Sequence, residues 1–501
     1  MHCYHSESGL IMENRINSKY IKELFANSSD IVVRPIKLNQ NGITFSIFGV
    51  DGLINDGLVD EVILNSLYSD PYLEKCKTQH QVMDYLLSGG SYHVFTEEET
   101  DYSKLLKKVL SGGVAFIFDE EEKAIMYDIK NFAKRSVSEP EEEAVIKGAK
   151  DSFVEVMRTN TALIRRRVRS EYLVVEALTV GTLSKTDLSL IYISSIVDMN
   201  MVNRLRDIIS KIEIDNLSTP AFIEEYLVEN KKSVFPQIMY SQRPDRIAAN
   251  LTEGRIAIVV DGIPFVYLLP CQLVMLMQSP EDYANHFYVG SALRILRYIA
   301  MLVTLFLPAF YIAATTYQNQ MLPVQLALST QAAKQNVPFS SASEVIGLLI
   351  SFEILIEAGL RLPKTVGTAM SILGGIVVGQ SAVSANILSP LVVVIVSLAG
   401  IAGFIVPNQD LSSGIRLIRF LLAVVAAVGG FFGLAVGLII LLTHLCSLDN
   451  YGVAYLSPFV DIDESNHKDT LFRFPTKYFT KRSQNIVPKN GGKQKNKSEK
   501  E

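Results

Sequence analysis

The chain has no tryptophan among its 501 residues, so any aromatic girdle at a membrane–water boundary would have to be built from tyrosine and phenylalanine. It has only four cysteines, scattered singly at Cys3, Cys76, Cys271 and Cys446. No pair has metal-ligand spacing, and a disulfide framework is not expected from them. Charge of neither sign dominates: the net charge of −5 gives no reason to expect nucleic acid. The first 25 residues lack a basic stretch followed by an apolar core, so no secretory leader is read there and the amino-terminal half is expected to stay in the cytoplasm. The seven histidines are dispersed. No P-loop, GxGxxG, HExxH or GxSxG pattern occurs, so the sequence points to no enzyme, no metal and no cofactor.

What the chain does have is an uneven distribution of its apolar residues. Residues 1 to about 285 are rich in Glu, Lys, Asp and Arg, whereas about 291–446 carry nearly all the long apolar runs. The expected organisation is a flexible lead-in (1–26), two cytoplasmic α/β subdomains (27–134 and 135–290), a polytopic α-helical membrane domain (291–446) and a basic C-terminal tail (447–501). In the first subdomain, DIVVRPIKL and GITFSIFGV read as strands. Helices are expected over 53–68 and 73–87, and VAFIFDEEEKAIMYDI reads as a hairpin. In the second, a helix with an acidic start is expected over 141–170, interrupted or turned at Lys147-Gly148, followed by an amphipathic helix at NMVNRLRDIISKI and a helix at TPAFIEEYLVEN with Pro220 at its first position. GRIAIVVDGIPFVYLLP is the clearest hairpin, turning at Asp261-Gly262.

The membrane half predicts about four to five spans: a first near 298–317 preceded by Arg294 and Arg297, then 345–360, 365–386, 387–407 and 415–446, the last with Gly429-Gly430 in its middle. Five full spans would leave the C-terminal tail on the far side. Yet residues 477–501 hold eight Lys or Arg against two Glu, and basic flanks favour the cytoplasm. Either one segment is re-entrant, or the last run bends back. The sequence reading favours the first, with 345–360 or the 365–407 pair as the half-crossing element, and expects the tail to be disordered and to touch anionic lipid.

Residues 345–407 are apolar enough for a bilayer yet are broken by Glu353, Glu357, Arg361, Pro363, Lys364 and Pro390. Charge and broken backbone at that depth survive where they face protein or water. Glu353, Glu357 and Arg361 share one helical stripe. They read equally well as a local Glu357–Arg361 pair with Glu353 buried and protonated, or as a cation-attracting ring or gate once several subunits come together. Glu344 is placed near the outer mouth and reads first as a helix-start residue. Gly367, Ser371, Gly375 and Gly379, like Gly429, Gly433 and Gly437, repeat every four residues, which suits close helix packing first and a pore lining second. The basic run Arg165, Arg166, Arg167 and Arg169 reads as a solvated helix face or as a contact with membrane headgroups or a partner subunit. Arg243, Asp245 and Arg246 around Pro244 read as a turn held by salt bridges.

Five blocks together resemble one family: EPEEEAVIKGAKDSFVEVMRTNTALIRRRVR (139–169), SVFPQIMYSQRPDRIAANLTEGRIAIVVDGIPFVYLLP (233–270), SPEDYANHFYVGSALRILRYIAMLVTLFLPAFYIA (279–313), VPFSSASEVIGLLISFEILIEAGLRLPKTVGTAMSILGGIVVGQSAV (337–383) and HLCSLDNYGVAYLSPFVD (444–461). The chain is similar to the A subunit of the GerA-type spore germinant receptors. It departs from the family pattern at Lys147-Gly148-Ala149, at Ser241-Gln242 and at Ile356. The resemblance implies a protein of the spore inner membrane working with a transporter-like B subunit and a lipoprotein C subunit. It also implies a homo-oligomeric ring, a pentamer, that conducts monovalent cations when a nutrient germinant binds. The rival readings are a secondary transporter, which would normally show more spans and an internal repeat, and a non-conducting membrane scaffold.

Overall fold

The computed structural model describes residues 16–38, 42–90, 96–129, 143, 145–217, 219–361, 379–460, 469–479, 482 and 486. They fall into two compact units. The first comprises the described chain up to Leu227 together with Tyr240–Leu269; the second takes Val228–Met239 and nearly all that follows Pro270. Residues 270–290, expected in the second α/β subdomain, therefore belong to the helical unit.

The first unit contains two five-stranded sheets built along the same path. The first half runs α1 (Ser18–Leu24), β1 (Ile31–Lys37) and β2 (Thr44–Val50), then α2 (Asp56–Leu58) and α3 (Asn65–Ser69) joined by a π-turn, and α4 (Gln79–Tyr85). It continues through β3 (Thr96–Glu99), α5 (Tyr102–Val109), β4 (Val114–Phe118) and β5 (Lys123–Tyr127), with strand order β1-β2-β4-β5-β3. The second half runs α6 (Met157–Arg167), β6 (Leu173–Val180), β7 (Thr186–Ile193), α7 (Met199–Ser210), α8 (Pro220–Leu227), β8 (Met239–Ser241), α9 (Pro244–Thr252), β9 (Ile256–Val260) and β10 (Val266–Leu269). Its order, β6-β7-β9-β10-β8, is the first order over again. Each half is a helix, an antiparallel strand pair, helices, an edge strand, a helix and a closing hairpin.

Residue chemistry accounts for these elements. Successive side chains of β4 point to opposite faces. Phe116 and Phe118 pack with Phe45, Val82, Met83 and Leu86, while Ala115 and Ile117 pack with Phe48, Ile21, Phe25, Leu105 and Val109. Both faces are covered, so β4 reads as a continuous apolar run. The helices start on oxygen-bearing caps: Asn17 accepts from Lys19 N, Asp101 from Ser103 N and Asp198 from Asn200 N. Gly262 sits at φ +82 in the β9–β10 turn, as the Asp-Gly pair predicts. Of the helix expected over 141–170, the described residues form only Met157–Arg167. The described residues just before it, 145–156, form no regular element. Arg243 is buried, pairs with Asp245 at 2.7 Å and donates to the carbonyls of Glu143 (3.2 Å) and Ala149 (3.0 Å).

In the second unit α10 (Leu273–Met277) and α11 (Pro280–Ala284) lead into α12 (Phe287–Thr316). After α13 (Val324–Lys334) come α14 (Ser341–Arg361), α15 (Gly379–Ser384), α16 (Pro390–Gly403) and α17 (Gln409–Ser447). Among the described residues, α12 and α17 are long and apolar enough to cross a membrane. But α17 is not one rod. At Gly430 the backbone takes φ +58 and ψ −143, a conformation open essentially to glycine alone. A Cβ on Gly437 would meet Leu422 at 2.8 Å, and one on Gly433 would meet the Val425 carbonyl at 2.6 Å. In a straight helix residues 422 and 437 would lie about 22 Å apart. The helix therefore doubles back at Gly430 as a tight hairpin. Tyr317, just past the end of α12, donates its hydroxyl to the carbonyls of Ala427 (3.0 Å) and Val428 (2.8 Å), which the reversal leaves without helical partners. Gln318 accepts from Phe431 N at 3.4 Å.

The base of α12 is pinned by buried charge. Asp282 is fully buried and receives Arg294 at 3.2 Å and Arg297 at 2.8 Å. Arg294 also reaches Asp469 at 2.8 Å, and Arg473 donates to the Asn285 carbonyl at 2.8 Å. Residues 469–473 are thus a packed strap of this unit. So are the short strands β11 (Asp449–Asn450) and β12 (Val453–Ala454), followed by a fully buried Tyr455. The expectation of a tail from 447 onward stops short of these segments; the described residues beyond 479 are 482 and 486 alone.

Candidate functional site

A half-open charge cluster of the helical unit lies between α14 and the first half of α17. Glu353 leaves α14 one turn ahead of Glu357, and GIRLIRF in α17 supplies Arg416 and Arg419 three residues apart, on one helix face. Arg419 Nη2 lies 2.8 Å from Glu353 Oε1, and Arg416 Nη1 lies 3.2 Å from Glu353 Oε2. Ser413 accepts from Arg416 Nη2 at 3.0 Å. Arg419 is 1% exposed, whereas the Glu353 side chain is 42% exposed. The cluster forms the polar floor of a groove of about 690 Å³ with walls of Leu349, Ile350, Ile354, Leu417 and Phe420.

Glu353 is therefore neither alone nor buried: two guanidiniums hold it. Sequence alone hides these partners of Glu353, because they lie 63 and 66 positions away. The one available signal was a pair of arginines three apart at the start of an apolar run. Glu357 and Arg361 form the local pair read as one alternative, at 2.6 Å and well exposed. Glu344 is buried and accepts from Ser389 N, the cap residue of α16, at 2.7 Å, while Lys334 of α13 approaches it at 3.6 Å. It lies in the first turn of α14, as a helix-start residue does, and fastens three helices together.

Of the small-residue ridges, Gly367, Ser371 and Gly375 lie outside the described residues. Among the described residues, a methyl group placed on Gly379 would have only Val393 nearby, at 4.0 Å. Gly433 and Gly437 form the inner face of the hairpin, whereas Gly429 has nothing within 4 Å among the described residues. The basic run is divided in the same way. Arg165 is buried, with Nε and Nη2 on Asp30 at 2.9 and 2.8 Å and Nη1 on the Leu173 carbonyl at 2.9 Å. It cannot reach a headgroup or a partner, and that expectation is corrected: Asp30 and the Leu173 carbonyl draw the guanidinium inward and use its N–H groups. Arg167 is bound by Asp151 at 2.5 and 2.7 Å. Arg169 donates to the Arg166 carbonyl at 3.1 Å, and both of these arginines are exposed.

The family model described as Bacillus/Clostridium GerA spore germination protein matches residues 19–485. The chain belongs to the GerA family. Among its GerA relatives, spore germination protein KA of Bacillus subtilis (strain 168) is 35% identical over 91% of this chain and 83% of its own length. Spore germination protein A1 of the same organism is 32% identical over 90% and 91%. A relative named uncharacterized membrane protein YfkQ, also from that organism, is 36% identical over 95% and 92%. The crystal structure of the N-terminal domain of the A subunit of the Bacillus megaterium spore germinant receptor GerK3 is 27% identical, with a TM-score of 0.40, over 52% of this chain and 98% of that one.

Proposed function

We propose that this GerA-family protein is the non-catalytic A-type subunit of a nutrient-responsive spore germinant receptor, seated in the spore inner membrane with its α/β unit in the cytoplasm. In this reading it works with a transporter-like B subunit and a lipoprotein C subunit. Copies of it surround a path for monovalent cations that opens when germinant binds elsewhere in the complex. The observation that carries the reading is the half-open Glu353–Arg416–Arg419 cluster among otherwise apolar helices. Such a group does not face hydrocarbon; it needs a polar neighbour at that depth. A carboxylate shared by two helices also makes a two-state element. One packing of α14 against α17 keeps the pair, another parts it, and a ligand with different affinity for the two shifts the population.

The hairpin at Gly430 supports the same orientation. Its halves rise about 30 and 25 Å, each near the depth of a bilayer core. The chain then returns to the side from which α17 began, which removes the conflict between the basic C terminus and an odd number of crossings. The test is germinant-triggered potassium release from spores carrying Glu353→Gln or Arg416→Gln, with receptor levels measured in parallel. Altered release at normal levels is expected, and normal release and germination in both variants would overturn the reading. Unitary currents from the purified, reconstituted protein support a channel. Saturable uptake would mark a carrier instead, and silence a scaffold.

A further inference from the structure

The groove between α14 and α17 carries more hydrogen-bonding capacity than its protein partners use. Arg419 is 1% exposed, yet among the described residues its Nε and Nη1 have no hydrogen-bond partner, and neither does Nε of Arg416. Among the described residues the lining holds three cations, Arg361, Arg416 and Arg419, against two carboxylates, Glu353 and Glu357. Planar guanidinium forks of this kind match tetrahedral oxyanions in two-point contacts. The walls are apolar, and the same helices carry exposed apolar side chains beside them. Ile350, Ile354, Leu417 and Leu421 are 46%, 62%, 50% and 51% exposed. A bare phosphate would fill only a corner of about 690 Å³. An anion attached to a hydrocarbon chain would satisfy both the floor and the walls.

We infer that this groove binds an anionic phospholipid, its phosphate on Arg416 and Arg419 and an acyl chain along Ile350, Ile354 and Leu417. The inference rests on the membrane placement proposed above and adds the ligand to that site. Glu353 is then the intramolecular competitor: its carboxylate occupies guanidinium N–H groups that the phosphate would otherwise take. Lipid occupancy and the α14–α17 pairing are linked, so the lipid biases the same two-state element that germinant biases.

The absence of tryptophan makes the test direct. Ile354→Trp places the sole indole of the full-length protein on the groove wall. The variant is reconstituted in phosphatidylcholine vesicles doped with equal mole fractions of brominated phosphatidylglycerol or brominated phosphatidylcholine. The expected result is about fivefold preferential quenching by the anionic lipid, the factor that one net charge near a membrane surface contributes. Adding Arg416→Gln should reduce the ratio to near one, and adding Glu353→Gln should raise it. Equal quenching by both lipids, or a preference that neither substitution moves, overturns the proposal. Loss of the preference on adding millimolar inorganic phosphate would assign the site to a free anion and overturn the lipid. No quenching by either lipid would mean that another subunit seals the groove, which also overturns the lipid. Potassium flux from the same vesicles reports the channel reading separately, so either idea can fail alone.

Discussion

The Asp30–Arg165 pair of the α/β unit and the Glu353–Arg416–Arg419 cluster of the helical unit are built from the same chemistry and behave as opposites. In the first, one carboxylate meets one guanidinium through two bonds, the third guanidinium nitrogen donates to two backbone carbonyls, and both side chains are at most 1% exposed. In the second, one carboxylate is divided between two guanidiniums, several N–H groups are unspent, and the carboxylate opens to a groove. A sealed pair with matched charge has nowhere to go; it fixes geometry. An open cluster with a surplus of donors can exchange one anion for another. The difference separates a structural ion pair from one able to switch, and it lies in partner count and access rather than in residue type.

The largest expected effect breaks the sealed pair. Arg165→Met leaves the Asp30 carboxylate buried without a counter-ion and should cost about 3–5 kcal/mol, read as the shift of the urea unfolding transition of the α/β unit within the solubilised full chain. The double variant Asp30→Leu with Arg165→Met should recover most of that loss, since an apolar pair of similar volume replaces a buried ion pair without a stranded charge. A small effect of Arg165→Met would mean that water reaches this site and that the contrast with Glu353 is one of degree.

Next comes the element that carries the two arginines of the open cluster. Gly430→Ala forces a Cβ to within 2.9 Å of Gln318 Oε1 and 3.0 Å of Tyr317 Cβ, on a backbone conformation costing about 1–3 kcal/mol for an L-residue. Its thermal inactivation temperature should fall accordingly. The hairpin has its own geometric check. In a background without the native cysteines, Leu422→Cys with Gly437→Cys should cross-link readily, because shortening Leu422 removes the atom that a side chain at 437 would meet. A straight α17 holds those positions about 22 Å apart and would give no bond.

How much of this the sequence discloses depends on how local the cause is. The strands β4 and β9 are legible as apolar runs, the β9–β10 turn as Asp261-Gly262, and the Glu357–Arg361 pair as a spacing of four. Gly429-Gly430 marks the reversal without giving its direction. The direction is set by Tyr317 and Gln318, more than a hundred positions away. Arg165 misleads for a similar reason: its partner is 135 positions earlier. In RRRVR nothing distinguishes the residue facing inward from the three around it. The duplicated strand order of the two α/β halves is invisible because what repeats is a path, maintained by packing, and the residues along it differ.

A smaller effect tests the open cluster itself. Glu353→Gln removes two charge-assisted contacts, but the 42% exposure of that side chain lets water take much of the load. The stability loss should be about 1 kcal/mol, several-fold below that of Arg165→Met, while ion release changes more than stability does. Comparable stability losses in the two variants would erase the distinction between the sites.

The smallest effect is expected one helical turn along α14. Arg361 and Glu357 meet at 2.6 Å, but their side chains are 79% and 60% exposed. A pair of that kind on a helix surface contributes about 0.3–0.5 kcal/mol, and salt weakens it further. Arg361→Ala should therefore leave thermal stability almost unchanged. It also removes the third cation of the groove lining, so the lipid preference read by a tryptophan at position 354 should fall, though by less than with Arg416→Gln, whose guanidinium stands on the floor of the groove beside Glu353. A variant nearly silent in stability and visible in lipid preference would show that the surplus of positive charge, and not the strength of any one ion pair, is what the groove presents to its ligand.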